Sequence, residues 1–308
     1  TILLRAQAES FKKGAPYIQK IYLNKFGIEN KNLSITQDTN GMIILGNSNG
    51  ILQYTGSQWN LTETNGLPVV SQNKKGDILV GKNEDIGVLK YKKTKAEIIS
   101  ILDSLSVKNI YEKVNQIVPA GSKIYFTTDT QLFSLTQAGI SKIAKHPDIN
   151  IFKNNRLFVF LEGEGLYKLI DNELTQIFKA EQIDGNVECL IEWNNQILFS
   201  TSENHLYTLK DNNPAKLSTE AKIYLRRHSI SDIVNIDSNL LAIGTYSGGI
   251  VLLDENLKII NVLNKNTNLF DAQINKLFRD KNLNLWALHN DGLSRIELST
   301  GISYFSAK

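Results

Sequence analysis

The chain has 308 residues, 42 % hydrophobic and 21 % charged, an ordinary balance for a globular protein with ample length to bury a core. With 34 basic against 31 acidic residues the net charge is +3, too even for nucleic acid or an anionic membrane to be the main partner. The single cysteine, Cys189, excludes an intrachain disulfide and a multi-cysteine zinc site, and no apolar run approaches the roughly 18 residues of a transmembrane helix.

Residues 1–15 read apart from the rest. "TILLRAQAESF" places Ala6-Gln7-Ala8 after a short apolar run, which fits the remnant of an export signal, although Arg5 is out of place there. "PYIQKIYL" follows as a strand without a neighbouring partner in sequence. From "DTNGMIILGNSNGILQY" onwards one pattern recurs: a turn, an apolar strand, a short polar turn and a second apolar strand. Its copies start at Met42, Asp77, Lys123, Arg156, Gln196, Leu240 and Asn284, about 40 residues apart, the period of propeller blades. Another strand precedes each copy, as in "LSITQD", "CLIEWNN" and "INKLFRD", and a fourth can follow, as in "QWNLTE" and "ISYFSA".

Each repeat is therefore predicted to be a four-stranded antiparallel blade. The fold class is all-β, a seven-bladed β-propeller over residues 16–308, closed with help from the N-terminal strand. An open array, or part of a larger disc, is the alternative. "AEIISILDSL" reads either as one or two helical turns or as a strand and loop, and "LRRHS" as a solvated basic loop. Trp59, Trp193 and Trp286 are expected to be buried between blades, and Cys189 to be a buried small hydrophobe.

The residues of the blades carry a family resemblance. Asp38, Gly41, Ile43, Gly46, Gly50 and Ile51 match the D, G, L, G, G and L of the two-component regulator propeller repeat, with Ile44 in place of its Trp and Asn47 of its Thr. Asp280, Leu285, Trp286, Gly292 and Leu293 match it again, while Leu283, Leu288 and His289 depart from it. "GILQYTGSQW" and "EDIGVL" are similar to phrases of the N-terminal sensor propellers of Bacteroidetes-type regulators that carry a triple-tyrosine domain. The resemblance covers the whole chain as repeats, and roughly its first ninety residues as motif. It implies a periplasmic, ligand-sensing module of a membrane-anchored regulator, non-catalytic by itself. The implied partners are the remainder of the same polypeptide and, in the intact receptor, a second copy.

No catalytic motif stands out: there is no G-x-S-x-G, H-E-x-x-H or P-loop. The four histidines fall in four different repeats, so no metal or cofactor is expected. A propeller lyase or hydrolase acting on a polysaccharide or metabolite is the alternative reading, and an interaction scaffold a third. In a propeller, the turn between second and third strands and the connector to the next blade open on one face. Ligand-binding candidates on those turns and connectors are Asn47, Glu84, Asp129, Glu162, Glu164, His205, Arg226, Tyr246 and His289. With Asp85, Glu203 and Asp291 they make a polar, largely acidic ring suited to a glycan or another small polar or cationic ligand.

Overall fold

The computed structural model describes residues 15–28, 31–92, 95–105, 112–290, 292–298 and 303–304. Residues 1–8, with the signal-remnant reading, and Asp291 lie outside them. The strands form seven antiparallel sheets in sequence order. Blade 1 comprises Asn32–Gln37, Ile43–Asn47, Gly50–Tyr54 and Trp59–Glu63. Blade 2 starts at Val69–Gln72, blade 3 at Gln116–Ala120, blade 4 at Ile149–Lys153, blade 5 at Val187–Trp193 and blade 6 at Ile230–Asn235. The first strands of successive blades contact one another in cyclic order. The seventh, Lys276–Arg279, meets the first, so the array closes around an axis lined by first strands.

Closure uses the N-terminal strand, as the spare "PYIQKIYL" predicts. Ala15–Ile21 pairs with Leu293–Glu297, placing Tyr17 opposite Glu297 and Ile21 opposite Leu293. It thereby takes the fourth position of blade 7. The "ISYFSA" segment does not fill that position: Ser303–Tyr304 pairs outside the N-terminal strand, with Pro16 opposite Ser303. Strands from near both ends of the described chain therefore share the blade 7 sheet.

The apolar strands pack blade on blade. Trp286, Leu288 and Leu293 of blade 7 cluster with Ile43, Leu45 and Leu52 of blade 1, while Leu269, Ile274 and Leu285 cluster with blade 6 residues Ala242 and Leu252. Trp193 and Trp286 are buried as expected, and Trp59 is partly buried, its ring stacked 4.8 Å from that of Tyr54. The repeated Asp acts as the motif suggests. Asp38 Oδ1 accepts from the N–H groups of Asn40 and Met42, and Asp280 Oδ1 from those of Asn282 and Asn284. Each carboxylate thus closes the turn from first to second strand. Gly46 answers to a different constraint from the turn glycines: a Cβ there would lie 2.0 Å from the Pro68 carbonyl oxygen, where the chain enters blade 2.

Two short segments were ambiguous or misread in sequence. "AEIISILDSL" continues the strand Lys95–Ser100 into one helical turn, Ile101–Ser104, capped where Ser100 Oγ accepts from Asp103 N–H. "LRRHS" belongs to a helix, Lys222–His228, not to a loop. Leu225 and the preceding Ala221 anchor it in the core between blades 5 and 6, while Arg226 and Arg227 face outwards near its C-terminal end, where cations suit the helix dipole. Seven residues are too few to show a helical period. No helix among the described residues is long and apolar enough to cross a membrane.

Candidate functional site

The turns between second and third strands do share a face with the connectors between blades, and hydrogen bonds tie them together. Ser48 N–H donates to Lys31 O, Glu162 N–H to Asp148 O, Ser202 N–H to Asn186 O, and Tyr246 N–H to His228 O. Each contact joins such a turn to the segment entering a first strand, so both sets of loops surround the same mouth of the channel.

The candidate residues on this face divide by what their side chains already hold. Asn47 is fully buried: its Nδ2 donates to Asn32 Oδ1 at 2.9 Å and its Oδ1 accepts from Asn49 N–H. It fixes the turn from inside the blade. His289 is also fully buried, stacked on Phe270, with Nδ1 2.9 Å from Gln273 O and Nε2 2.8 Å from Ser294 Oγ. Burial pushes its imidazole down to about 4, so the ring is neutral. As they stand, neither side chain reaches the mouth.

Glu84 is exposed in its turn at φ 59°, its N–H bound to Glu112 O. Asp129 is exposed and accepts from Asn115 Nδ2 at 2.8 Å. Glu164 accepts from the Tyr167 hydroxyl at 3.1 Å and lies 4.0 Å from His146 Nε2. His205 Nδ1 sits 3.5 Å from Asp184 Oδ2, beside the Asp184–Lys216 ion pair at 2.7 Å. Desolvation and the Lys216 ammonium lower its pKa. Arg226 stands exposed on the helix between blades 5 and 6.

Over blades 4 to 7 the structure gathers a tighter set. Glu162 accepts from Asn186 Nδ2 and shares a hydrogen bond with Asp148. The Asn186 bond holds the Glu162 carboxyl below its ordinary range, while the shared bond raises that of Asp148. Glu188 lies nearby on the first strand of blade 5, its pKa raised by burial and then by Glu162. Tyr246 is about half exposed, its phenol pKa raised by burial and then by Glu188. Asp232 is buried, with Oδ2 accepting Leu277 N–H at 2.8 Å and Oδ1 3.2 Å from Lys276 Nζ. The Asp232 carboxylate holds the Lys276 ammonium above its ordinary pKa. Cys189 packs under this set, its thiol pushed up to about 12 by burial, so it behaves as a small hydrophobe.

Sequence reasoning selected turn residues and missed Asp148, Asn186, Glu188, Asp232 and Lys276. For Glu188 and Lys276 a signal was present: "VECLIEW" and "INKLFRD" carry a charge inside or at the edge of an apolar first strand, and in a closed ring such a strand has the channel on one side. Among the described residues no group of three or more His, Cys, Asp or Glu is arranged to hold a metal ion.

The geometry defines a class: a closed seven-bladed propeller with polar, partly acidic groups around one mouth of its channel. Solved structures share this fold. One, described as the extracellular domain of hybrid two-component system BT3049 from B. thetaiotaomicron, matches with TM-score 0.69 and 18 % identity over 91 % of this chain and 42 % of its own. Another, the extracellular domain of hybrid two-component system BT4673 from the same organism, matches with TM-score 0.71 and 16 % identity over 92 % of this chain and 40 % of its own. A streptogramin B lyase matches with TM-score 0.71 and 12 % identity over 92 % of this chain and 98 % of its own. The chain spans about two fifths of the length of the two extracellular domains. No family model and no curated protein matches the sequence.

Proposed function

We propose that this chain is the extracytoplasmic ligand-sensing module of a membrane-anchored bacterial regulator, with no catalytic activity of its own. The binding reading is carried by the set at the channel mouth over blades 4 to 7: Asp148, Glu162, Asn186, Glu188 and Tyr246 converge there from three blades and their connectors. Carboxylates, an amide and a phenol around a concave rim suit a hydroxyl-rich or cationic ligand, because each ligand hydroxyl or ammonium can donate to a carboxylate. The regulator setting is supported by the two extracellular domains that share the fold, of which this chain matches one part. On this reading the partners are the rest of the same polypeptide and a second receptor copy, not nucleic acid.

Titration calorimetry against neutral oligosaccharides and polyamines, with a parallel product assay, tests it. Binding without turnover is expected, and Glu188→Gln or Tyr246→Ala should weaken it about tenfold, the effect of one lost hydrogen bond to a charged or buried group. Turnover that disappears with a single polar substitution would establish instead the enzyme reading, a lyase or hydrolase. That second reading is favoured by the lyase among the structural matches and by the neighbouring Asp148 and Glu162 carboxyls.

A further inference from the structure

A cleft opens on the face opposite the channel mouth just described, between the two blades that close the ring. In blade 7, Phe278, Trp286, Arg295 and Gln19 are successive cross-strand partners and so share one face of the sheet. In blade 1, Gln37, Ile43, Tyr54 and Trp59 form the corresponding row. The rows meet where Trp286 and Tyr54 pack edge to face, 6.1 Å between ring centres. Towards the turns from first to second strand they part, leaving a cleft of about 490 Å³.

The groups at its floor are committed in unequal degree. Asp280 Oδ1 accepts two backbone N–H groups, and its Oδ2 accepts from Asn284 Nδ2 and Trp286 Nε1, each at 2.9 Å. Four donors saturate this carboxylate, so it has nothing left for a ligand hydroxyl. Gln37 is likewise used at both ends, by Lys281 N–H and Gly41 O. Arg295 is different. Its five-donor guanidinium lines the cleft, about one third exposed, with a single loose contact to Glu297 at 3.5 Å. Around it stand the side-chain amides of Gln19 and Asn40, which no hydrogen bond engages among the described residues, and the rings of Tyr54 and Trp286.

A cation, unengaged amides and aromatic edges in a cleft of one or two sugar units describe one ligand class. We infer that this cleft binds a polyhydroxylated carboxylate, a hexuronate unit of an acidic saccharide, with its carboxylate on Arg295 and its hydroxyls on the amides. The site is separate from the channel mouth, lying beside the turns from first to second strand on the other face of the disc. Its ligand would touch both the first and last blades and so bridge the ring closure.

Titration calorimetry on this chain with uronate disaccharides from pectin and alginate, their methyl esters and acetate tests the inference. At least one free-acid disaccharide should bind, about tenfold or more tighter than its ester, with acetate not competing at equal concentration. Arg295→Gln should weaken that binding about tenfold or more, Arg295→Lys should restore part of it, and Asn40→Trp, at an exposed turn, should block it. Melting curves taken alongside identify a variant that has lost its fold. Glu188→Gln should leave uronate binding unchanged while it weakens binding at the channel mouth about tenfold. The inference is overturned if no free-acid disaccharide binds, if acid and ester bind alike, if acetate binds as well, or if a folded Arg295→Gln protein binds normally.

Discussion

His289 has no exposed surface, and both its ring nitrogens are engaged in the neutral state. In the unfolded chain it would titrate near 6.5; folded, near 4. Between these values the unfolded state binds more protons, so stability falls as pH drops from about 6.5 towards 4. The full shift corresponds to about 3 kcal/mol. Thermal melts at pH 7.5, 6 and 4.5 should show this decline, and His289→Asn, although less stable at pH 7.5, should give a flatter profile over that window. An unaltered profile would place the acid sensitivity elsewhere. Asn47 makes a related point: a polar residue in a turn need not face water, because a buried turn has backbone donors that require acceptors.

At the scale of the strand, successive blades are pinned by side chains on their first strands. Val70 N–H donates to Ser34 Oγ, Ile151 N–H to Gln116 Oε1 and Leu277 N–H to Asp232 Oδ2. Each bond satisfies a backbone donor of the next blade that the ladder leaves free. Asp232 carries the heaviest duty, because it is buried and also pairs with Lys276. Asp232→Ala should cost about 2–4 kcal/mol in chemical denaturation, since it strands a buried N–H and an ammonium partner. Ser34→Ala removes only a neutral hydroxyl and should cost about 1 kcal/mol. Equal costs for the two would show that the carboxylate's charge contributes nothing.

Across the whole molecule, stability depends on a closed ring in which every blade face is covered by a neighbour. The N-terminal strand completes blade 7, with Ile18 and Ile21 buried and Ile18 opposite Ile296. Deleting residues 16–23, or placing a charge at Ile18 with Ile18→Asp, should lower the melting temperature of the entire disc in a single cooperative transition. Calorimetry showing the first six blades melting unchanged, with only blade 7 loosened, would contradict that coupling.

The repeat, its seven copies, the four-stranded blade and the use of "PYIQKIYL" to close the ring were all legible in the sequence. They follow from local physics: short apolar runs, turn formers between them, and an Asp whose carboxylate closes the first turn in blades 1 and 7. The sharing of one face by the turns and connectors was legible too, being a property of the topology. The membership of the channel mouth was not. Period-two alternation says which face of a strand a residue occupies but not what covers that face. Glu188 and Asp232 therefore read as strand residues until the ring placed their strands around the axis. The pairing of Asp148 with Glu162, the withdrawal of His289 into the core and the cleft beside Arg295 were decided only by tertiary structure. Each joins groups from separate strands, turns or blades, and the distance between such groups is set by how neighbouring sheets pack, which no single repeat encodes.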